Sequence, residues 1–311
     1  MEVGRIRLSV IIVSYNTRSL LADCLASVAA EPRPPDEVIV VDNASADESA
    51  ALVRAQFPYV QVIANTENRG FAAACNQGLQ AASGNFLCLL NPDTQLFPGA
   101  LDALASFLES NQKVGVVGPT LLHTDGTYQH AAFRFPTLPM ALLDFFPLNH
   151  RLLNSRLNGR YPFTLYEHPF AMDHPLGACM LVRREAFTDV GLLDEQFFMY
   201  CEEIDWCRRI KQAGWAIMHV PGARVVHHGG QSTQQRAGRM FVELHRSRFR
   251  LFAKHYSRRY QWAARCIVAV GILWQLAAQL PQRLRHFRDQ IHQDRWQSRL
   301  CVLALALKGE N

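Results

Sequence analysis

Two short turns in this sequence carry side chains that suit a divalent cation. Asn91 and Asp93 bracket a proline after the apolar run FLCLL, and His227 follows the run ARVV. An Asn-Pro-Asp triplet is also ordinary turn chemistry after a strand, and a histidine in a surface turn is equally common. Taken together, one carboxylate and one imidazole with open positions suit Mg²⁺ or Mn²⁺ that holds a diphosphate.

A second acidic group lies in the stretch CEEIDWCRRIKQAG, whose spacing predicts a helix from about residue 200 to residue 213. Glu203 falls on the same stripe as the apolar residues that follow it at helical spacing. Partial burial there raises the pKa of a carboxyl group, which suits a general base near neutral pH. The helix macrodipole gives an alternative, structural reason for Glu203. Glu202 and Asp205 lie on other faces, and Asp205 can pair with Arg208 or Arg209 one turn later.

Further polar residues follow other apolar runs. Asp42 ends a run in the segment DNAS, the place where an acidic residue binds a ribose or base in nucleotide-binding sheets. An Asx turn that caps the next helix is the alternative. Arg69 precedes a predicted helix, and both can steady a phosphate. The chain lacks a Gly-x-Gly-x-x-Gly motif after its first apolar run and lacks a Walker motif, which argues against a standard NAD site and a P-loop.

The elements that must position these residues alternate along the first 120 positions. Helical patterns cover residues 19–29, 46–56, 70–82 and 98–110, and they separate the apolar runs SVIIVSY, DEVIVVDN, VQVIAN, NFLCLLNPD and VGVVGP. This order predicts an α/β fold with an open, doubly wound sheet of buried parallel strands, in which ligands bind beyond the carboxyl ends. Residues 121–170 predict loops and short helices, and a further strand is predicted at 178–183.

Composition bounds the class of protein. A chain of 311 residues, half of them apolar, can bury one large core or two smaller ones, which excludes a disordered or fibrous chain. The eight cysteines form no Cys-x-x-Cys pair, which is typical of reduced, packed thiols in a reducing compartment. The N-terminal apolar run is too short for a signal peptide. These features predict a cytoplasmic protein.

The C-terminal segment differs from the rest in charge. Residues 236–311 hold 15 Lys and Arg against 4 Asp and Glu, a balance of +11, which leaves −6 for residues 1–235. Basic and aromatic residues alternate before an apolar stretch, a composition expected of a segment that lies on an anionic membrane surface. Arg265, Gln275 and Gln279 interrupt that stretch, so we expect it to be a poor spanning helix. A helix packed on the catalytic domain is the alternative, and no recognition fold supports nucleic-acid binding.

Six ordered blocks together resemble a known family: SVIIVSYNTRSLLADCLASV, EVIVVDNASADES, NRGFAAACNQGL, LLNPDT, GACMLVRREAFTDVGLLDEQFFMYCEEIDWCRRIKQAGW and HHGGQS. They resemble, over about residues 7–235, the family 2 inverting glycosyltransferases, particularly bacterial rhamnosyltransferase-like members. The resemblance implies a GT-A fold, with a Rossmann-like mixed sheet flanked by helices, a nucleotide-diphosphate sugar donor and a divalent cation. It places the donor half at 1–120 and the acceptor-binding, catalytic half at 121–235, followed by the basic amphipathic helical tail at 236–311.

The resemblance also assigns roles to residues. Asp93 matches the last acid of the family's Asp-x-Asp motif, with Asn91 at the position of the first, and His227 matches the histidine that completes the metal shell. Glu203 matches the second acid of a Glu-Asp pair that supplies the base; because the pair here is Glu-Glu, Glu202 and Asp205 stay open as alternatives. The expected donor-binding residues are Ser14, Tyr15, Asn16, Asp42, Asn43, Arg69, Asn76, Asn91 and Asp93.

The predicted function is therefore metal-dependent, inverting transfer of a sugar to a glycan or lipid-linked acceptor in cell-surface polysaccharide assembly. The resemblance points to dTDP-rhamnose as donor, and the composition of the tail points to a peripheral place on the cytoplasmic membrane face. A catalytically inactive glycan-binding or scaffold relative and a nucleotide-sugar hydrolase are the alternatives. A nucleotidyltransferase should carry a Gly-rich, Lys-containing loop where this chain has VSYNTRS.

Overall fold

The N-terminal apolar runs form the parallel strands that the sequence predicts. In the computed structural model they are β1 (Leu8–Ser14), β2 (Glu37–Asp42), β3 (Gln61–Ala64) and β4 (Phe86–Leu90). Three helices connect them: α1 (Arg18–Ala29), α2 (Ser49–Gln56) and α3 (Phe71–Ala81). The inner strands β1 and β4 are buried throughout, as expected for a parallel sheet with helices on its faces. β3, at the sheet edge, is partly exposed.

The structure describes residues 8–146, 149–229, 237–285 and 289–308, with the backbone alone at 150, 282–285 and 291. Residues 230–232 of the predicted His-His-Gly-Gly-Gln-Ser block, and the predicted boundary at 235, lie outside the described residues. The chain divides into a first unit, Met1–Phe135, Tyr161–Phe198 and Glu202–Ser232, and a second unit, Pro136–Arg160, Met199–Cys201 and Thr233–Asn311. Residues 136–160 thus group with the C-terminal segment, while the three-part division stays a prediction.

The rest of the first unit completes a mixed sheet. Its strands are β5 (Thr94–Leu96), β6 (Val114–Leu122), β7 (Tyr128–Gln129), β8 (Ala132–Phe133), β9 (Phe170–Ala171), β10 (His174–Pro175), β11 (Cys179–Arg183) and β12 (Ala216–His227). The main path runs β3-β2-β1-β4-β11-β6-β12-β5. β11 is antiparallel to both β4 and β6, which confirms the predicted mixed sheet, while β1, β2, β3 and β4 run parallel to one another as predicted.

Three further helices complete the first unit: α4 (Ala100–Ser110), α7 (Arg184–Val190) and α8 (Glu202–Gln212). The sheet and helices pack closely where α3 crosses β1, since a Cβ atom on Gly78 would lie 2.3 Å from Cγ2 of Ile11. Six of the eight cysteines are buried free thiols, whereas Cys266 is half-buried and Cys301 is exposed. The predicted packed thiols are therefore found at most positions.

The second unit is helical and has its own core. It contains α5 (Leu138–Phe145), α6 (His150–Leu153), α9 (Ala237–His255), α10 (Arg258–Arg285) and α11 (Gln290–Lys308). Phe145, Phe249, Ile272 and Val302 share one buried cluster. By length and composition alone, the Arg258–Pro281 part of α10 is apolar enough to cross a membrane, in contrast to the expectation drawn from its polar residues. A core helix passes the same test, and 33% of the apolar window is buried.

Candidate active site

Strand pairing brings the two predicted metal ligands together at one edge of the sheet. β12 pairs with β5 so that His227 lies opposite Thr94, the residue after Asp93. Nε2 of His227 is 3.5 Å from Oδ1 of Asp93, and the backbone N–H of His228 donates to the Asp93 carbonyl at 2.9 Å. Both side chains are buried, so the carboxylate and the imidazole face each other out of bulk water.

Gln129 orients the imidazole ring of His227 and favours one of its tautomers. Nδ1 of His227 lies 2.9 Å from Oε1 of Gln129, so Nδ1 carries the proton and Nε2 keeps its lone pair toward Asp93. A carboxylate facing the lone pair of an imidazole nitrogen suits a divalent cation. Among the described residues, no third His, Cys, Asp or Glu joins the pair. Gln129 could not be predicted from the sequence, because a two-residue strand such as β7 leaves no periodic signal.

The backbone of Asn91 fixes the turn that carries Asp93. The N–H of Asn91 donates to the carbonyl of Ala178 at 2.8 Å, and its own carbonyl accepts the Thr94 hydroxyl at 2.7 Å. These hydrogen bonds are the kind that stabilise a turn at an Asn-Pro-Asp triplet. The side-chain amide of Asn91 makes no hydrogen bond within the described part of the chain, which leaves it open to a ligand.

The antiparallel pairing of β11 places Glu203 near the same edge. Cys179 pairs with Leu90, so the start of β11 lies beside the end of β4. A Cβ atom on Gly177 would lie 3.5 Å from Cγ of Glu203, which shows that Glu203 packs directly over this glycine. Gly177 adjoins Ala178, whose carbonyl holds the Asn91 turn. The candidate base and the candidate cation site therefore both border the β4–β11 pairing.

Burial prepares Glu203 to accept a proton. Desolvation raises its pKa from 4.5 to about 7, although the N–H groups of Glu203 and Ile204 lower it. Desolvation raises the pKa of Glu202 well above its ordinary value too, and the negative charge of Glu203 adds to that shift. Oε2 of each residue is buried and has no hydrogen-bond partner among the described residues. Glu203 thus ionises more readily near neutral pH, while Glu202 keeps its proton.

Asp205 is committed to an ion pair. Its Oδ2 lies 2.9 Å from Nε of Arg209, and the Asp205 side chain is fully buried. Arg209 also donates to the carbonyls of Val190 and Leu192, at the end of α7. The pair predicted from helical spacing is therefore present, and it ties α8 to the neighbouring helix.

The backbone before α8 departs from the predicted helix. Tyr200 and Cys201 have φ values of 69° and 67°, in the left-handed region that non-glycine residues rarely adopt. Asn16, Ala44 and Glu48, in the loops that follow β1 and β2, share this conformation. Such residues cost about 1–3 kcal/mol each and are typical of functional sites. The strained positions of the described residues thus lie in the loops that carry the candidate site residues.

The ends of β1 and β2 form the candidate nucleoside pocket. Ser14 pairs in register with Asp42, and the Ser14 hydroxyl lies 3.0 Å from that of Thr17. Oδ2 of Asp42 accepts from the Ser45 N–H at 3.2 Å, whereas its buried Oδ1 has no partner among the described residues. That free oxygen suits a ribose hydroxyl or a base N–H. Tyr15, which follows Ser14 at the end of β1, is half-buried.

Asn16 joins the two loops of this pocket. Its N–H donates to the Ser45 hydroxyl at 3.0 Å, and its Oδ1 accepts from the Ala46 N–H at 2.7 Å. Both bonds cross from the loop after β1 to the loop after β2. Asn16 therefore links the two loops through both its backbone N–H and its side-chain oxygen.

Asn43 is occupied by the fold. Its Nδ2 donates to Oδ1 of Asn68 and to the carbonyl of Gly70, and its Oδ1 accepts from Nδ2 of Asn65 and from the N–H of Arg69. An amide side chain has no further capacity. Donor binding by Asn43 stays untested, and this geometry favours a role in positioning the loop that carries Arg69.

Asn76 is likewise engaged. Its amide donates to the carbonyl of Leu193 and to Oε1 of Glu195, both at 2.9 Å, and its Oδ1 accepts from the N–H of Leu193 at 3.0 Å. It therefore holds the segment after α7 rather than presenting an amide to a ligand.

Arg69 is a candidate for binding an anion. Its side chain is exposed, and it makes no ion pair within the described part of the chain. The next residue, Gly70, has a φ of +87°, and a Cβ atom there would lie 2.7 Å from the Phe198 carbonyl. Only glycine fits this approach. The loop thus places a cationic side chain at the start of α3, where a phosphate is favoured.

Comparison with known proteins decides the family. The family model described as "Glycosyl transferase family 2" matches residues 9–191. The chain belongs to glycosyl transferase family 2. It is therefore a glycosyltransferase, as the six sequence blocks predict. A relative named "N-acetylglucosaminyl-diphospho-decaprenol L-rhamnosyltransferase" from Mycobacterium tuberculosis (strain CDC 1551 / Oshkosh) is 30% identical over 266 residues, which cover 80% of this chain and 85% of the relative.

Solved structures support the fold of this glycosyltransferase. The mannosyltransferase PcManGT from Pyrobaculum calidifontis, in complex with GDP-Man and Mn²⁺, superposes with a TM-score of 0.60 at 16% identity, over 99% of this chain and 89% of that chain. GalNAc-T7 with UDP, GalNAc and Mn²⁺ gives a TM-score of 0.53 at 20% identity, over 73% of this chain and 44% of that chain. The predicted GT-A fold is confirmed.

The raised pKa of Glu203 makes stability depend on pH. The folded state binds the Glu203 proton more tightly than the unfolded chain, so this stabilisation is complete below pH 4.5 and is lost as pH rises to about 7. Glu203→Gln removes the titration. We expect the variant to gain unfolding free energy relative to wild type as pH rises through this range, measured by urea denaturation at about pH 5 and about pH 8. The exposed Glu167→Gln is the control, and an equal difference at both pH values would contradict the prediction.

Proposed function

We propose that this glycosyltransferase uses a divalent cation and inverts the anomeric centre of a nucleotide-diphosphate sugar. The acceptor is a glycan or lipid-linked glycan of cell-surface polysaccharide assembly. One observation carries the proposal: the Asp93–His227 pair and the unpaired, buried carboxyl of Glu203 border the same strand pairing. The name of the mycobacterial relative supports rhamnose as the sugar and a lipid diphosphate as the carrier.

The residues divide the chemistry between them. The Glu203 carboxylate takes the proton of the acceptor hydroxyl, whose oxygen forms a bond to the anomeric carbon as the bond to the diphosphate oxygen breaks. Asp42 binds the nucleoside through its free oxygen, and Arg69 binds the diphosphate. A cation held by Asp93 and His227 would neutralise charge on the leaving group.

With one candidate base and one candidate cation site, sugar transfer needs only a single displacement at the anomeric carbon. A retaining double displacement, as in glycoside hydrolases, needs a second, ionised carboxylate as the nucleophile. Glu202 does not suit that role, because burial and the neighbouring charge keep it protonated. Asp205 does not suit it either, because it is paired with Arg209. The geometry therefore favours inversion.

A panel of nucleotide sugars tests the cation site. We expect nucleoside-diphosphate release from one donor, lost on addition of EDTA and in Asp93→Ala. Gln129→Leu removes the bond that holds His227, so the metal concentration for half-maximal activity should rise about 10–100-fold. The matched control is Glu109→Ala, at an exposed acid near the end of α4.

Activity that survives both EDTA and Asp93→Ala would contradict the cation site. Nucleoside-diphosphate release that is equally fast without any glycan acceptor would favour the hydrolase alternative. Donor binding without any turnover, for every acceptor tried, would favour the scaffold alternative.

The second unit supplies a reason for a peripheral place on the cytoplasmic membrane face. α10 has two apolar faces: one packs in the helical cluster through Ala264, Val268 and Ile272, and the other is exposed. Trp262 and Trp274 are 70% and 62% exposed on the open face. Exposed tryptophans beside basic residues are typical of a helix that lies in an anionic interface. Because one face of the helix is packed in the helical cluster, the proposal is surface binding rather than spanning.

Vesicle co-sedimentation tests this face. Trp262→Ser combined with Trp274→Ser should lower binding to anionic phosphatidylglycerol vesicles by about tenfold or more, since two interfacial anchors are lost. Tyr59→Ser, at an exposed aromatic residue of the first unit, is the control. Unchanged binding by the double variant would contradict the proposal, and wild-type protein that resists alkaline carbonate extraction from membranes would indicate a spanning helix.

A further inference from the structure

An exposed aromatic surface lies next to the Gln129–His227 contact. We define the aromatic platform as Tyr128, His130 and Phe163. The rings of Tyr128 and Phe163 stack at 5.7 Å with an interplanar angle of 26°, and those of His130 and Phe163 stack at 4.2 Å with an angle of 17°. Even so stacked, Tyr128 remains 46% exposed and Phe163 37% exposed. These rings are therefore not explained as part of the hydrophobic core, because a large part of their apolar surface faces solvent.

The platform is fixed from behind by Tyr166. The buried Tyr166 hydroxyl accepts the N–H groups of Ala131 and Ala132, both at 3.0 Å. Its ring lies 6.1 Å from that of Tyr128 and 5.3 Å from that of Phe163. The exposed rings therefore rest on a hydrogen-bonded support, and binding a ligand there costs little further ordering.

Strand register places the platform at the reactive edge of the sheet. Leu122, at the end of β6, pairs with Tyr128 on one side and with Val226 on the other. Val226 precedes His227, and Gln129 follows Tyr128. Since neighbouring side chains of a strand point to opposite faces, Tyr128 and His130 share the face opposite to Gln129. The platform thus begins one residue away from the side chain that orients His227.

The chemistry of the surface matches a sugar ring. The C–H face of a pyranose is apolar and packs on aromatic faces, whose negative quadrupole attracts the ring hydrogens. Ring hydroxyls need polar partners at the rim, and the exposed β6–β7 turn supplies them in His123, Thr124, Asp125 and Thr127. An alkyl chain has no hydroxyl groups and would gain nothing from polar residues around the aromatic platform. The combination favours a carbohydrate over a lipid tail.

We infer that the aromatic platform is the acceptor subsite, where a pyranose ring of the acceptor stacks on Tyr128 and Phe163. The inference deepens the proposed function and rests on it for the identity of the ligand as acceptor. The platform lies outside the Asp42–Arg69 donor pocket, so its loss affects acceptor binding rather than donor binding.

Tyr128→Leu and Tyr128→Phe test the platform. Leucine keeps apolar bulk but removes the ring, whereas phenylalanine keeps it. The acceptor KM should rise about tenfold in Tyr128→Leu and return near the wild-type value in Tyr128→Phe. Tyr59→Leu, at another exposed tyrosine, is the control. The donor KM, measured in parallel, distinguishes a lost subsite from a disturbed cation site, which would raise both constants.

Saturation-transfer NMR with methyl pyranosides, including methyl N-acetylglucosaminide, measures binding without turnover. One outcome is that the protein binds a pyranoside, that Tyr128→Leu abolishes this binding, and that no donor is turned over. This outcome would support the sugar-binding platform and overturn the proposed function. Turnover with an acceptor KM unchanged in Tyr128→Leu would overturn the subsite and keep the function. Absence of any pyranoside signal together with an unchanged acceptor KM, or binding of alkyl chains in place of pyranosides, would overturn the subsite.

Discussion

The antiparallel pairing of β11 with β4 is the constraint on which the candidate site depends. In a wholly parallel sheet, the neighbour of β4 would begin at the far edge, away from the Asn91–Asp93 turn. Reversing β11 brings Gly177 and Ala178 to the end of β4, where Ala178 holds Asn91 and Gly177 leaves room for Glu203. The pairing of β12 with β5 then adds His227 at the same edge. One reversed strand thus brings the candidate base to the edge of the sheet that carries the candidate cation site.

Several features of the candidate site raise the free energy of the folded state. The apolar burial of the surrounding sheet offsets this cost. Two adjacent buried carboxyl groups with unpaired oxygens, and left-handed backbone at Tyr200 and Cys201, each cost free energy. Fully buried strands such as β1 and β4 supply the apolar burial that tolerates them. The same burial that destabilises an ionised Glu203 raises its pKa into the range where a carboxylate can take up a proton near neutral pH.

Features that depend on local periodicity or on the order of motifs could be predicted from the sequence. The strands before residue 120, the helices between them and the Asp205–Arg209 pair follow from spacing, and the family follows from six blocks in order. Three features depended on tertiary structure: the reversal of β11, the Gln129 contact through a two-residue strand, and the internal hydrogen bonds that occupy Asn43 and Asn76. Motif position marks a residue near a pocket but does not show whether its polar atoms are already satisfied.

The central claim is that Glu203, rather than its neighbour, takes the acceptor proton. The most direct test is the kcat for sugar transfer by Glu203→Gln and Glu202→Gln, with the cognate donor and acceptor saturating. The account predicts a loss of about 100-fold or more for Glu203→Gln. Glu202→Gln replaces a protonated carboxyl with a neutral side chain of the same shape, so its loss should stay below about tenfold. Full activity in Glu203→Gln, or an equal loss in both variants, would contradict the account.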